Sequence, residues 1–257
     1  MDAQLKNKVA IVTGASRGIG LAIARELAKE QMRLVLVARS GELLEEAAAF
    51  MACECLVHVA DIRKPDAASE IIAATVQRFK GIDVLVNNAG ATRRGDFLEL
   101  SDSDWADGFA LKFFGAMRLC RVSWPYLVAS HGSIVNIVGV GGRTASAEFA
   151  IGGAVNSALL NLTKALAHRG IMDGVRVNAI NPGAIATERL QVRIKAVAAE
   201  QGTDHDGAAE IMLHRLGIAR FGTPDEIAKC VAFLASPAAA FCQGTILDVD
   251  GGETRTL

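Results

Sequence analysis

Tyrosine is nearly missing from this chain: among 257 residues Tyr126 stands alone, so chemistry that needs a phenol has one place to find it. Proline is scarce as well, at 5 residues, and no stretch rich in Pro, Gly and Ser divides the chain, which argues against two domains joined by a linker. The 5 cysteines, Cys53, Cys55, Cys120, Cys230 and Cys242, are odd in number and never spaced as C-x-x-C. Neither a disulfide framework nor a zinc site is expected; buried thiols in a reducing compartment are. His58, His131, His168, His205 and His214 stand apart from one another, so no metal is expected. Neither sign of charge is in excess. The 27 Lys and Arg against 28 Asp and Glu leave a formal charge of −1, too little basic surplus for a nucleic-acid partner. Apolar runs are short, none near the roughly 18 residues that span a bilayer, and the polar opening before Val9 is unlike a secretory signal. A soluble, cytoplasmic protein with no membrane partner is the expectation.

What is present is a globular composition, 51% hydrophobic and 21% charged, which excludes a disordered chain. Short, nearly all-apolar runs at 9–13, 34–38, 55–59, 84–88, 134–138, 176–180 and 246–249 read as strands. Amphipathic or Ala/Leu-rich stretches such as 18–31 and 65–79 lie between them. Strands of that kind alternating with helices make a parallel sheet covered on both faces. Ser101-Asp102 marks the start of a long helical segment at 102–129, and Thr223-Pro224-Asp225-Glu226 opens another with Pro at its first position and acids in its first turn. The fold class is α/β: one Rossmann-like, doubly wound domain over 1–257, with about seven parallel strands.

Thr13-Gly14-Ala15-Ser16-Arg17-Gly18-Ile19-Gly20 follows the first strand and opens the first helix. Glycines there let the backbone turn tightly and approach a pyrophosphate, while the helix N-terminus offers free N–H groups and positive dipole. The spacing is Gly-x-x-x-Gly-x-Gly, a weak signal by itself that gains weight from its place in a βαβ unit. At the end of the second strand, where an acid would take the ribose 2′-hydroxyl of NAD, the chain reads Ala38-Arg39-Ser40. With Arg17 in the turn, two guanidinium groups and no carboxylate favour NADP(H) over NAD(H); the plainer reading is two solvated arginines.

These segments, in this order, resemble the short-chain dehydrogenase/reductase family in its ketoacyl-reductase-like branch. Thr13 to Gly20 is similar to that family's TGxxxGxG, Asn87-Asn88-Ala89-Gly90 to its NNAG, and Asn181-Pro182-Gly183 with Ile185 and Thr187 to its PG motif. Further similar stretches run from Arg220 to Ala228 and through Asp250-Gly251-Gly252. The resemblance implies cofactor contacts from Gly14, Ser16, Arg17, Gly18, Ile19, Gly20, Arg39, Asp61, Ile62, Asn88, Ala89, Gly90, Asn156, Pro182, Gly183, Ile185 and Thr187. It also implies a small-molecule substrate under a lid at about 187–216, and a homo-oligomer, tetramer or dimer. The segments 102–129 and 150–168 would form one interface and the C-terminal segment another.

The family's reaction uses a Tyr and a Lys four residues apart on one helix face, where the ammonium lowers the phenol pKa and holds the nicotinamide ribose. A Ser positions the substrate oxygen, and an Asn supports proton relay. Anchored on Asn161 to Ala167, the Tyr and Lys positions fall on Gly152 and Asn156. The Ser position falls on Gly139 and the Asn position on Lys112. Nor does Tyr126 rescue the motif, since Ser130 follows it at the spacing where Lys is needed. Gly152-Gly153 inside a predicted helix costs about 1 kcal/mol per glycine against Ala; either the vacated volume takes a larger ligand or the helix begins here.

Asn156 could still bond ribose hydroxyls, Lys112 could restore the missing charge or give a proton, and Glu148 could act as an acid if burial raised its pKa. Arg143 and Ser146 lie on the same segment as Glu148, and Arg93-Arg94 are placed to meet an anionic substrate or to sit in solvent. Three functions stay open. The first is an NADP(H)-dependent oxidoreductase with an altered active site, the second a non-catalytic NADP(H)-binding sensor or assembly subunit, the third non-redox chemistry on the same scaffold.

Overall fold

In the computed structural model, which describes residues 4–255, seven parallel strands form one sheet in the order β3-β2-β1-β4-β5-β6-β7. They are β1 (Val9–Thr13), β2 (Arg33–Ala38), β3 (Cys55–Val59), β4 (Val84–Asn87), β5 (Ser133–Ile137), β6 (Arg176–Pro182) and β7 (Ile246–Val249). Each lies within two residues of its sequence expectation, because a strand buried on both faces must be apolar throughout. Every residue of β1 and β5 is buried. The strand order reverses between β1 and β4, and in such sheets the crevice for a ligand opens there, at the carboxyl edge.

The helices are α1 (Gly18–Lys29), α2 (Gly41–Ala49), α3 (Ala67–Phe79), α4 (Asp102–Gly108), α5 (Gly115–Ser130), α6 (Ala150–Asp173), α7 (Glu188–Gln201), α8 (His205–Leu216) and α9 (Pro224–Ala235). One face of the sheet packs against α1, α2 and α9 through residues such as Ile23, Leu27, Leu44, Ile227 and Val231. The other packs against α3, α5 and α6 through Ile71, Ile72, Leu119, Leu127 and Ala167. Ser101 and Thr223 form capping boxes with Asp104 and Glu226, so the two helix starts read from sequence are made as expected.

Some expectations need correction. The segment 102–129 is not one helix: a π-helical turn, Phe109–Phe114, separates α4 from α5, with Gly115 N–H donating to Ala110 O. Nothing in apolar spacing distinguishes a π turn from the α-helix around it. The segment 187–216, expected only as a lid, consists largely of two packed helices, α7 and α8, joined through Leu190, Ile194, Ala208 and Met212. The helix expected at 150–168 runs on to Asp173, where Gly174 in the left-handed region (φ 72°) ends it.

Candidate active site

The glycine turn joins β1 to α1 at the strand-order reversal. Gly14 has φ +68°, and a Cβ on Gly20 would overlap the carbonyl oxygen of Gly14 and the Asn88 amide, so the close approach tolerates no side chain. Thr13 Oγ1 accepts from the N–H of both Asn88 and Ala89 at 3.0 Å, and Asn88 Nδ2 donates to Thr13 O at 2.9 Å. The NNAG segment is thereby clamped to the turn. No side chain caps α1, which leaves its N-terminal N–H groups and dipole to an anion. This is a cradle that fits a dinucleotide pyrophosphate.

At the adenosine end Arg39 is exposed and makes no ion pair among the described residues. Asp61 is held by Arg63, whose Nη2 lies 2.8 Å from Oδ2, and that pairing lowers the carboxyl pKa. Ile62 is buried against Gly115. Arg17 is engaged across the cleft with Glu188 at 3.2 Å. Next to it Arg189 donates to Gly90 O at 2.8 Å. Two bridges thus cross from α7 over the cleft, one to the glycine turn and one to NNAG. Thr187 stands beside Gly18, while Ile185 pairs with Gly222 and Gly183 N–H donates to Val249 O at 3.2 Å.

The positions singled out for chemistry converge. Lys112, projecting from the π turn, passes beneath Gly90, where a Cβ would meet its Cδ at 3.0 Å. Its Nζ donates to Asn156 Oδ1 at 2.6 Å and to Val138 O. Asn156, on α6, is 3% exposed and donates from Nδ2 to Gly139 O at 3.4 Å. Gly139 N–H donates to Asn181 Oδ1 at 3.2 Å, Asn181 Nδ2 to Asp248 Oδ1 at 2.9 Å, and Arg143 Nη1 pairs with Asp248 at 2.5 Å. Burial, and secondarily the charge of Arg189, push the Lys112 pKa down to about 7. An ammonium has three N–H donors, so two acceptors leave one free.

Gly152 lies in the first turn of α6, as the helix-entry reading held. Its vacated volume is not open to a ligand: the Phe149 ring fills the space a Cβ would need. Arg94 stacks on that ring, its Cζ 4.0 Å from the centroid, whereas its neighbour Arg93 pairs with Asp104 at 3.1 Å. Glu148 is exposed, so the burial that would make it an acid is missing. Tyr126 stands near the end of α5, which runs back toward the strands' amino edge, away from the cleft. Thr13, Phe149, Asn181, Arg189 and Asp248 were not singled out from sequence for this role; Asn181 precedes the PG motif and was the nearest to being found.

Known proteins resemble this chain along nearly its whole length. Residues 14–254 match the family model described as enoyl-(acyl carrier protein) reductase. An uncharacterised oxidoreductase of Mycobacterium tuberculosis is 36% identical over 256 residues, 98% of this chain and 94% of that protein. The 3-oxoacyl-acyl-carrier-protein reductase of Vibrio cholerae is 33% identical over 96% of this chain and 98% of its own length. L-Sorbose reductase of Gluconobacter frateurii, solved with NADPH and L-sorbose, superposes with a TM-score of 0.95 at 33% identity over 100% of both chains.

Proposed function

This chain belongs to the short-chain dehydrogenase/reductase family, and from that premise we propose that it is an NADP(H)-dependent oxidoreductase of a small carbonyl compound in which Lys112 and Asn156 serve where the family's acid/base groups are expected. The reading rests on one observation: Lys112 Nζ and Asn156 Oδ1 meet at 2.6 Å, beside Gly139 and beneath Gly90, at the carboxyl edge of the sheet. The NADPH held by L-sorbose reductase supports the same cofactor here, as does Arg39, which is exposed at the end of β2 where a 2′-phosphate is expected and forms no ion pair among the described residues.

When bound, NADPH supplies the hydride. The residues of this chain do the rest. The glycine turn and the uncapped α1 would hold the pyrophosphate, and Asn156 would offer its amide to the ribose hydroxyls. Lys112 gives its third proton to the substrate oxygen as hydride reaches the carbon, so that carbonyl, hydride and proton become an alcohol. The neutral amine left behind regains a proton from water. A pKa near the working pH suits an amine that must both give and regain a proton. The α7–α8 pair is the lid that excludes water. The same reading makes 1–257 one domain in a soluble, cytoplasmic dimer or tetramer; among the described residues no helix is long and apolar enough to cross a membrane.

Purified protein should oxidise NADPH with a member of a carbonyl, enone and imine panel, and Lys112→Ala should slow that turnover on the order of 100-fold. Unchanged turnover in the variant removes Lys112 from the chemistry. Silence across the panel despite NADPH binding removes the reaction itself.

A further inference from the structure

Arginines along this edge of the sheet are mostly paired: Arg17 with Glu188, Arg93 with Asp104 and Arg143 with Asp248. Arg94 and Arg193 are different. Neither forms an ion pair with a carboxylate among the described residues. Arg94 is nevertheless fixed in place. Its guanidinium stacks on Phe149, Phe149 packs against Gly141 and Gly152, and the following Gly95 N–H donates to Glu148 O at 3.1 Å. Stacking occupies the face of a guanidinium and leaves its N–H edges clear.

Arg94 lies in the field of two guanidinium groups and two carboxylates. Burial and the nearby guanidinium groups of Arg193 and Arg189 lower its pKa, against the opposing carboxylates of Glu148 and Glu253. Glu253 answers both guanidinium groups: burial and the adjacent Asp250 raise its pKa, while Arg193 and Arg94 lower it. Arg189 also bears on Lys112, so one guanidinium is felt both at Arg94 and at the reacting centre.

Resting on the reading of this cleft as a hydride-transfer site, the geometry points to a substrate whose carbonyl is accompanied by an anionic group, a carboxylate or a phosphate, held by Arg94 and Arg193. A planar fork clear on its edges binds either oxyanion through paired, charge-assisted hydrogen bonds. Phe149, which occupies the room at Gly152, serves as the platform that aims the fork.

The test is a binding titration on protein saturated with NADP, so that anions cannot register at the phosphate turn. Succinate is compared with succinamide, and glycerol 3-phosphate with glycerol, by calorimetry. One anion should bind at least about tenfold tighter than its neutral partner and weaken with added salt. Arg94→Gln and Arg193→Gln should each reduce that preference by about tenfold while leaving NADP affinity unchanged, and Arg94→Lys should lose less than Arg94→Gln because it keeps the charge but not the fork. Whether succinate or glycerol 3-phosphate wins assigns carboxylate or phosphate. Equal binding of anions and neutral partners, or an unchanged preference in Arg94→Gln with a native melting curve, overturns the proposal. The same titrations without NADP keep the outcomes apart: a protein that does not bind NADP fails the first reading, while the Arg94 dependence of anion binding still decides this one.

Discussion

The two ends of one cleft are built by different rules. At the dinucleotide end the shape belongs to the backbone: a left-handed Gly14, a Gly20 without room for a Cβ, and Thr13 and Asn88 tying the turn to NNAG. At the substrate end it belongs to side chains set on the π turn, on α6 and on the short turn before it: Lys112, Asn156 and Phe149 around Gly139 and Gly152. A backbone cradle cannot change piecemeal, because each substitution meets another backbone atom. Side chains projecting from intact elements can be exchanged with little cost to the fold, which is how the proposed Lys112 and Asn156 chemistry can sit on the family's scaffold.

The contrast is broken most severely at Gly20. Gly20→Val would force Gly14 and Asn88 apart, with an expected loss of more than about 3 kcal/mol in stability and of measurable NADP binding; denaturant melts and calorimetry decide it. If a well-folded, NADP-binding variant resulted, the cradle would not be a backbone structure. At the other end, Gly152→Tyr collides with the Phe149 ring and should cost about 1–3 kcal/mol. Adding Phe149→Ala should recover most of that loss, a coupling that a double-mutant cycle measures directly. Additive effects would mean that the ring and the glycine do not share the space.

Lys112 sharpens the comparison through pH. Its amine releases its proton near pH 7 when folded but near 10.5 when unfolded. Between those values the unfolded chain binds more protons, so stability from this group rises with pH across that window, and below pH 7 the folded state bears a constant penalty. Lys112→Met should therefore be stabilised at pH 6, relative to its effect at pH 9, by about 2–3 kcal/mol. Reductive turnover by the unaltered protein should fall as pH rises through about 7. The smallest effect is at the rim: Arg39→Ala should weaken NADP by about 1–2 kcal/mol and leave NAD nearly untouched, an outcome that a ratio of Kd values reads without any substrate.

The strands were legible because burial on both faces demands an unbroken apolar run, as in Ile11 and Val12 of β1. The glycine turn was legible because its steric demand selects one residue type at fixed offsets. The identity of Lys112, Asn156, Gly139 and Gly152 could be counted from neighbouring motifs, but not what surrounds them. Phe149 filling the room beside Gly152, Arg94 lying on that ring and Asp248 reaching Arg143 across 105 residues are long-range packing facts, to which local periodicity is blind. The α7–α8 pair was hidden for a related reason. Its polar turn at 202–204 is all that composition displays, while the seam of Leu190, Ile194, Ala208 and Met212 appears only when the helices are set side by side.

The wide turn at Phe109–Phe114 has one more effect. A π turn closes on i−5 where an α-helix closes on i−4, so it holds one residue more than the helix around it. Drawing that residue out would give α4 and α5 one continuous ladder while side chains inside the turn, Lys112 among them, moved by about 100°. The ammonium would then leave Asn156 without any atom of its own having been altered. Reactivity here depends on a register offset in the main chain, and a single-residue deletion within 109–114 could extinguish it while each side chain of the cluster stayed in the sequence.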